Sequence, residues 1–245
     1  VASVKDNDGS FLPANRASPD AIYEHLRERI LAGEIVAGSD LVQAQVAKEY
    51  GVSRGPVREA FRLLQREGLI EAHMNLRATV TGLSAQEAEH LYALRVVNEC
   101  LALRMSIPLF TVDQLDTLER LVASVEESQD RGFGAWEEQH ERFHALLLQP
   151  AGERLAEPLA QWADYTERYR RVYVTDDSGG WMLGAAEHRA LAAACRERDA
   201  TSGVGLLARH LSRAGLTLVA TIDPLHEPRL LRAAVQQVTS GAMAE

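Results

Sequence analysis

The sequence predicts a mainly α-helical chain in two parts. A winged helix-turn-helix of three helices plus a small β-wing spans residues 18–82, and an all-α antiparallel bundle of six or seven helices spans 83–227. Three observations carry this. Apolar residues recur at steps of three and four through most of the chain. Glycines and prolines cluster between those runs, where elements must end. One segment, Gly51 to Ile70, sets arginines at helical spacing opposite an apolar stripe, as a helix that docks on one face and reads on the other requires.

The elements of the first part follow in order. Ser18 can cap a helix whose first position, Pro19, has no N–H to lose. Ile22, Leu26, Ile30 and Leu31 form its buried stripe. Gly33 and Gly38 separate it from a second helix carrying Leu41, Val46 and Ala47, and Tyr50-Gly51-Val52 is the tight turn before Ser53 caps a third. In that third helix Val57, Phe61 and Leu64 face inward, while Arg54 and Arg58 share the other face with Arg62 and Arg66. A solvated charged face is the bland reading of those arginines taken alone. Leu69, Ile70 and Ala72, then Ala78, Thr79 and Val80, read as two strands turning at Asn75.

The second part opens at Ser84 and Glu87, the reciprocal capping spacing, and Thr111 with Gln114 repeats it. Its apolar stripes are Leu91, Leu94, Val97, Leu101 and Met105; Leu115, Leu118, Leu121, Val122 and Val125; Phe143, Leu146 and Leu147; Leu155, Leu159 and Trp162; and Leu206, Leu207, Leu211 and Leu218. Breaks fall at Pro108, Gly132 to Gly134, Pro150 to Gly152 and Ser178 to Gly180. His188 to Arg198 and Gly203 to Ala220 read as the last two helices. Residues 1–17 read as a disordered tail and 228–245 as a frayed helical tail.

Composition narrows the function. The chain has 245 residues and carries 26 Lys plus Arg against 35 Asp plus Glu, a formal net charge of -9. Residues 16–82 hold nine basic and nine acidic groups, so nearly all of the negative excess belongs to the second part. Diffuse attraction to nucleic acid is therefore weak, and any DNA binding must come from a local basic helix used in two copies. Cys100 and Cys195 have neither disulfide-framework nor zinc-finger spacing and read as buried, inert thiols in a reducing compartment. No apolar run suits a membrane span, and Val1 to Arg16 lacks the apolar core of a signal peptide, so a soluble, cytoplasmic protein is expected.

The histidines of the bundle carry the remaining chemistry. His140 and His144 are spaced i and i+4 and share a helix face, as ligands of one metal would; His188 and His210 sit on two later helices. Spacing alone leaves chance placement open. The run His140-Glu141-Arg142-Phe143-His144 also matches the zinc-protease pattern His-Glu-x-x-His, in which Glu141 would activate water. Tyr165, Arg168, Tyr169 and Arg171 form a basic-aromatic cluster read as helix-surface packing or a dimer face.

An Ile-bearing helix, the Gly33 to Gly38 connection, Val46-Ala47, the run Gly51-Val52-Ser53-Arg54-Gly55-Pro56-Val57-Arg58-Glu59-Ala60 and Glu67-Gly68-Leu69-Ile70 together resemble the DNA-binding domain of the GntR family of bacterial transcription regulators. The resemblance implies that Ser53, Arg54, Pro56, Arg58 and Arg62 meet DNA in the major groove, with Asn75 and Arg77 at the wing. A guanidinium fork suits guanine O6 and N7, and Ser53 at a helix start suits a phosphate. Two positions depart from the pattern: Arg77 replaces the usual wing glycine, and Ala44 stands where some members have an arginine.

Phe143-His144, Glu187-His188, Asp199 and His210, with Leu94-Arg95 and Glu99 before them, are similar to the FCD domain of the FadR subfamily of those regulators. The resemblance implies four metal ligands. His140 takes the position usually held by aspartate, so the set His140, His144, His188 and His210 would favour zinc, nickel or cobalt over magnesium or calcium. It also implies a small carboxylate effector on the metal, with Arg95 at the anion's other end and Asn98 nearby. An intramolecular Arg95–Glu99 pair is the equal alternative for Arg95. The function implied is a homodimeric repressor that holds a palindromic operator and is released by its effector. A fatty-acyl-responsive regulator without metal, and a zinc-dependent hydrolase, are the alternatives.

Overall fold

The computed structural model describes residues 18–73, 77–167, 169–171 and 178–241. The expected tail at 1–17, Asn75 of the wing, Arg168 and residues 242–245 lie outside the described residues. The chain divides into two compact units, 1–82 and 83–245.

The first unit contains helices α1 (Pro19–Leu31), α2 (Gln43–Glu49) and α3 (Arg54–Arg66) with strands β1 (Asp40–Val42), β2 (Ile70–His73) and β3 (Arg77–Val80). Ser18 caps α1 as the sequence suggests, its Oγ accepting from Ala21 N–H at 3.1 Å. Ile22 and Leu26 of α1 close a core with Val46, Val57, Phe61, Leu64 and Ile70. Gly51 ends α2 at φ +66°, a left-handed turn that a side chain would resist. Glu67, at the end of α3, accepts from Tyr23 at 3.0 Å and Arg27 at 2.7 Å, so α1 and α3 are tied by charge as well as by apolar packing.

Two local readings change here. Leu41 belongs to β1, not to the second helix. It pairs with Ala78 of β3, giving an antiparallel sheet in the order β1-β3-β2, because the chain must return extended to cover the wing's free edge. Ser53 stands at the cap position of α3 with extended backbone, yet its side chain makes no cap hydrogen bond.

The second unit contains, among the described residues, seven α-helices: α4 (Ala85–Ser106), α5 (Val112–Ser128), α6 (Phe133–Leu148), α7 (Glu153–Tyr165), α8 (Ser178–Arg196), α9 (Ala200–Ile222) and α10 (Arg229–Gly241). Helix α4 is the hub, packing against α6, α7, α9 and α10. Thr111 and Gln114 form the full capping box of α5. At α4 only half of the box survives: Ser84 Oγ accepts from Glu87 N–H, but Ser84 N–H donates to the Tyr169 hydroxyl, which itself donates to Glu87 at 2.6 Å. Tyr169 is therefore a buried bridge and not a surface residue. Arg171 lies over the Phe133 ring at 4.4 Å, which is intramolecular packing.

Periodicity selected the wrong face of α4. Leu94, Leu101 and Met105 are exposed, while Ala88, Tyr92, Val96, Cys100 and Leu103 are buried. A helix covered on several sides is apolar nearly all round, so its apolar spacing cannot tell which stripe faces in.

The chain's end also differs from the expected frayed tail. Helix α10 docks with Leu231 and Ala234 buried, and Glu89 of α4 accepts from the N–H groups of Leu230 (2.6 Å) and Leu231 (3.2 Å) at its start. Close approach is possible because Gly215 has no side chain: a Cβ there would meet Tyr92 at 2.8 Å and Leu231 at 2.9 Å. Asp199, noted within the histidine pattern, caps α9 by accepting from Ser202 N–H at 2.9 Å. Cys100 and Cys195 are free and buried, and burial pushes both thiols up to about 12. No described helix is long and apolar enough to cross a membrane.

Candidate functional site

Helix α3 presents Ser53, Arg54, Arg58, Arg62 and Arg66 to solvent, while Val57, Ala60, Phe61 and Leu64 anchor it in the core. Arg58 and Arg62 stand 3.7 and 3.3 Å from Glu59, in pairs so exposed that solvent screens them. Both guanidiniums can leave Glu59 for a stronger anion at little cost. Pro56 sits in the first turn of α3, where a missing N–H breaks no helix bond. Arg77 is exposed at the start of β3, opposite His73.

In the bundle, four imidazoles meet. His140 and His144 come from successive turns of α6, His188 from α8 and His210 from α9. One ring nitrogen from each lies within 4.8 Å of the others, and each residue is 7% exposed or less. Both nitrogens of His144 and of His188, and Nδ1 of His140, are buried without a hydrogen-bond partner. Burial first, and the neighbouring imidazoles second, hold His140 and His144 well below the ordinary histidine range; His188 is lowered by burial and then by His210. These rings are neutral at pH 7, with lone pairs available.

A second layer orients them. Glu187 accepts from Nδ1 of His210 at 2.7 Å and from Arg213 at 2.6 Å. Burial pushes the Glu187 carboxyl up, but these hydrogen bonds outweigh it and bring it down to about 2. An ionised carboxylate only accepts, so Nδ1 of His210 carries the proton of this bond and Nε2 is the nitrogen that faces away from Glu187. Trp136 stacks on His140 with centroids 4.4 Å apart.

Beside the histidines lies a cavity of about 700 Å³ between α4, α6 and α7, with His140, His144, Arg95 and Arg170 in its wall. Arg95 Nε donates to Glu99 at 2.6 Å and Nη1 to Thr166 at 3.0 Å, so the Arg95–Glu99 pair is formed within the cavity wall. Asn98 is not part of this wall. Its amide turns back to Leu94 O at 2.7 Å, because at its place on α4 the side chain lies away from the cavity. Arg170, which sequence reasoning passed over, is buried and donates to Glu137, Thr166 and Ala163 O. Its signal was position: it interrupts the cluster from Tyr165 to Arg171. Burial and Glu137 raise the Glu141 carboxyl to about 7.

The family models decide what this architecture is. Residues 19–80 match the bacterial regulatory proteins of the gntR family, and residues 90–213 match the FCD domain. The chain belongs to the GntR family. It is a transcriptional regulator of the GntR/FCD type. It is 29% identical over 171 residues to the uncharacterized HTH-type transcriptional regulator YdhC of Bacillus subtilis, covering 68% of this chain and 75% of that one. It is 28% identical over 195 residues to the HTH-type transcriptional repressor RspR of Escherichia coli, covering 78% and 84%. In fold it is similar to E. coli McbR/YncC, with a TM-score of 0.68 at 17% identity over 87% of this chain and 100% of that one. These families and relatives are transcriptional regulators and not enzymes, so the His-Glu-x-x-His letters at 140–144 belong to the wall of a regulator's bundle.

Proposed function

We propose that this GntR regulator binds a palindromic operator as a homodimer and is a repressor released when a small carboxylate enters the bundle. His140, His144, His188 and His210 would hold a divalent transition metal, zinc first and nickel or cobalt next, since the donors are all borderline-soft nitrogens. The observation that carries this is the convergence of four buried imidazoles, of which His144 and His188 have both nitrogens, and His140 its Nδ1, buried without a partner. Leaving such groups unsatisfied is costly, and one metal ion would satisfy them together.

The residues divide the work. A bound metal would supply a Lewis acid for the effector's carboxylate. Arg95, in the same wall, would add N–H donors to that anion, while Glu187 fixes the His210 ring. The charged lining of the cavity, Arg95, Glu99, Glu141 and Arg170 among it, gives an acyl chain no dry path and weighs against a fatty-acyl effector.

For DNA, Arg54, Arg58 and Arg62 on the exposed face of α3 would provide base and phosphate contacts, with Ser53 at its start and Arg77 on the wing. Dimerisation would use the exposed apolar stripe Leu94, Leu101 and Met105 of α4 with Leu109 and Val112 beyond it. Repression is the sense in which a relative, RspR, is described.

Elemental analysis of the purified protein tests the metal centre. About one equivalent of zinc, nickel or cobalt per chain is expected, falling well below half in His144→Ala. Metal-free protein that still answers its effector would refute the site.

A further inference from the structure

Glu187 is shared between an arginine and an imidazole: Arg213 and Nδ1 of His210 both donate to it. At a second histidine of the cluster the parts of that device recur without its last bond. Glu137 stands one turn before His140 on the same face of α6 and is 4% exposed. Arg170 donates to its Oε1 through Nε at 2.8 Å and through Nη2. Its Oε2 is buried without a partner, as is Nδ1 of His140, and these two atoms stand 3.9 Å apart.

An acceptor and a nitrogen that can donate, each buried and each lacking a bond, face one another across a gap slightly too wide for one. Closing it by about 1 Å would give a normal hydrogen bond. Each atom left alone in a dry interior costs free energy that the bond would recover. The donor form is the one that metal ligation selects. An imidazole that gives Nε2 to a metal must carry its proton on Nδ1, and it becomes a stronger donor there.

We infer that Glu137 is the positioning residue of His140: with metal bound, its Oε2 accepts from Nδ1–H, so that Arg170, Glu137 and His140 come to match Arg213, Glu187 and His210. The inference rests on the four-histidine metal reading above and adds the contact that orients one of its ligands. Arg170 and His140 both line the large cavity, so the contact joins a metal ligand to the wall that would meet the effector.

Long-range proton–nitrogen NMR of the full-length protein, with zinc and without, reads the imidazole directly. With zinc, His140 should carry a proton on Nδ1 that exchanges slowly with water, a signature that an ion pair serving the fold alone would not produce. Competition for zinc against a chelator of known affinity gives the second readout, in which Glu137→Gln should weaken zinc binding about 10- to 100-fold. Because Glu137→Gln strands Arg170 in the interior, the paired change Glu137→Gln with Arg170→Gln removes both charges; it should show the same loss with unchanged helical circular dichroism. A zinc-bound His140 with no proton on Nδ1 overturns the inference and leaves the metal centre standing. Unchanged zinc affinity in both Glu137 variants does the same. A native protein that takes up no zinc overturns the metal centre and this contact with it.

Discussion

At the scale of single residues, the arginines of α3 and the histidines of the bundle occupy opposite electrostatic situations. Arg58 is solvated and gains by finding an anion; His144 is buried and gains by staying neutral. Replacing Arg58 by Ala should cost about 1–3 kcal/mol on a cognate operator, measured by fluorescence anisotropy at fixed salt. Unchanged affinity would mean that α3 does not read DNA. For the histidines the sign of the pH effect is fixed. The folded pKa values of His140, His144 and His188 lie well below 6.5, so the folded state binds fewer protons than the unfolded one, and their contribution is fully present above pH 6.5 and lost as pH falls below it. Chelator-treated protein should therefore melt at lower temperature at pH 5.5 than at pH 7.5, and His144→Ala should flatten the difference. Glu187 acts in a lower window, losing its contribution only as pH falls from 4.5 toward about 2. The identities of these residues were legible in the sequence. Arg170 was not, because a buried arginine and a surface one look alike until the Glu137 beside it is known.

At the scale of elements, caps and breakers were the most readable features. Ser18 with Pro19 and Thr111 with Gln114 act over three residues, and no distant contact is needed to form them. Elements defined by distant partners were missed. Strand β1 exists because β3 offers Ala78 and Thr79 to pair with, and α10 is anchored because Glu89, some 140 positions earlier, receives its first N–H groups. That anchor is open to measurement. Leu231→Ala should destabilise the second unit by about 2–5 kcal/mol through the cavity it leaves, followed by urea denaturation of the full chain. Gly215→Ala should destabilise it as well, since its Cβ would press on Tyr92 and Leu231. If neither shifts the transition, α10 is not part of the core.

At the scale of the whole molecule, regulation requires that effector binding and operator binding favour different states. Linkage makes this reciprocal, so operator DNA should weaken effector binding by the same factor by which effector weakens operator binding. The proposed dimer has its own check. Leu101→Asp places a charge in the middle of the exposed α4 stripe, and sedimentation velocity should then report monomers with operator affinity reduced by roughly a hundredfold or more through lost avidity. A dimer that survives Leu101→Asp would place the interface elsewhere.

The break read at Ser178 to Gly180 is instead the start of α8, but the sequence by itself determined the two-part organisation, the arginine face of α3, the helix starts at Ser18, Ser53, Ser84 and Thr111, and the four histidines. All of these are written in local spacing, and local spacing needs only the backbone's own periodicity to become structure. The tertiary structure decided which face of α4 is buried, that Arg95 takes Glu99 as its partner, that Asn98 turns away from the cavity, and that Glu187 holds His210. Those outcomes depend on burial and on carboxylates brought in from elsewhere in the chain. A one-dimensional pattern carries no record of which side chains will share a dry interior, and there an unpaired charge is far more costly than it is in water.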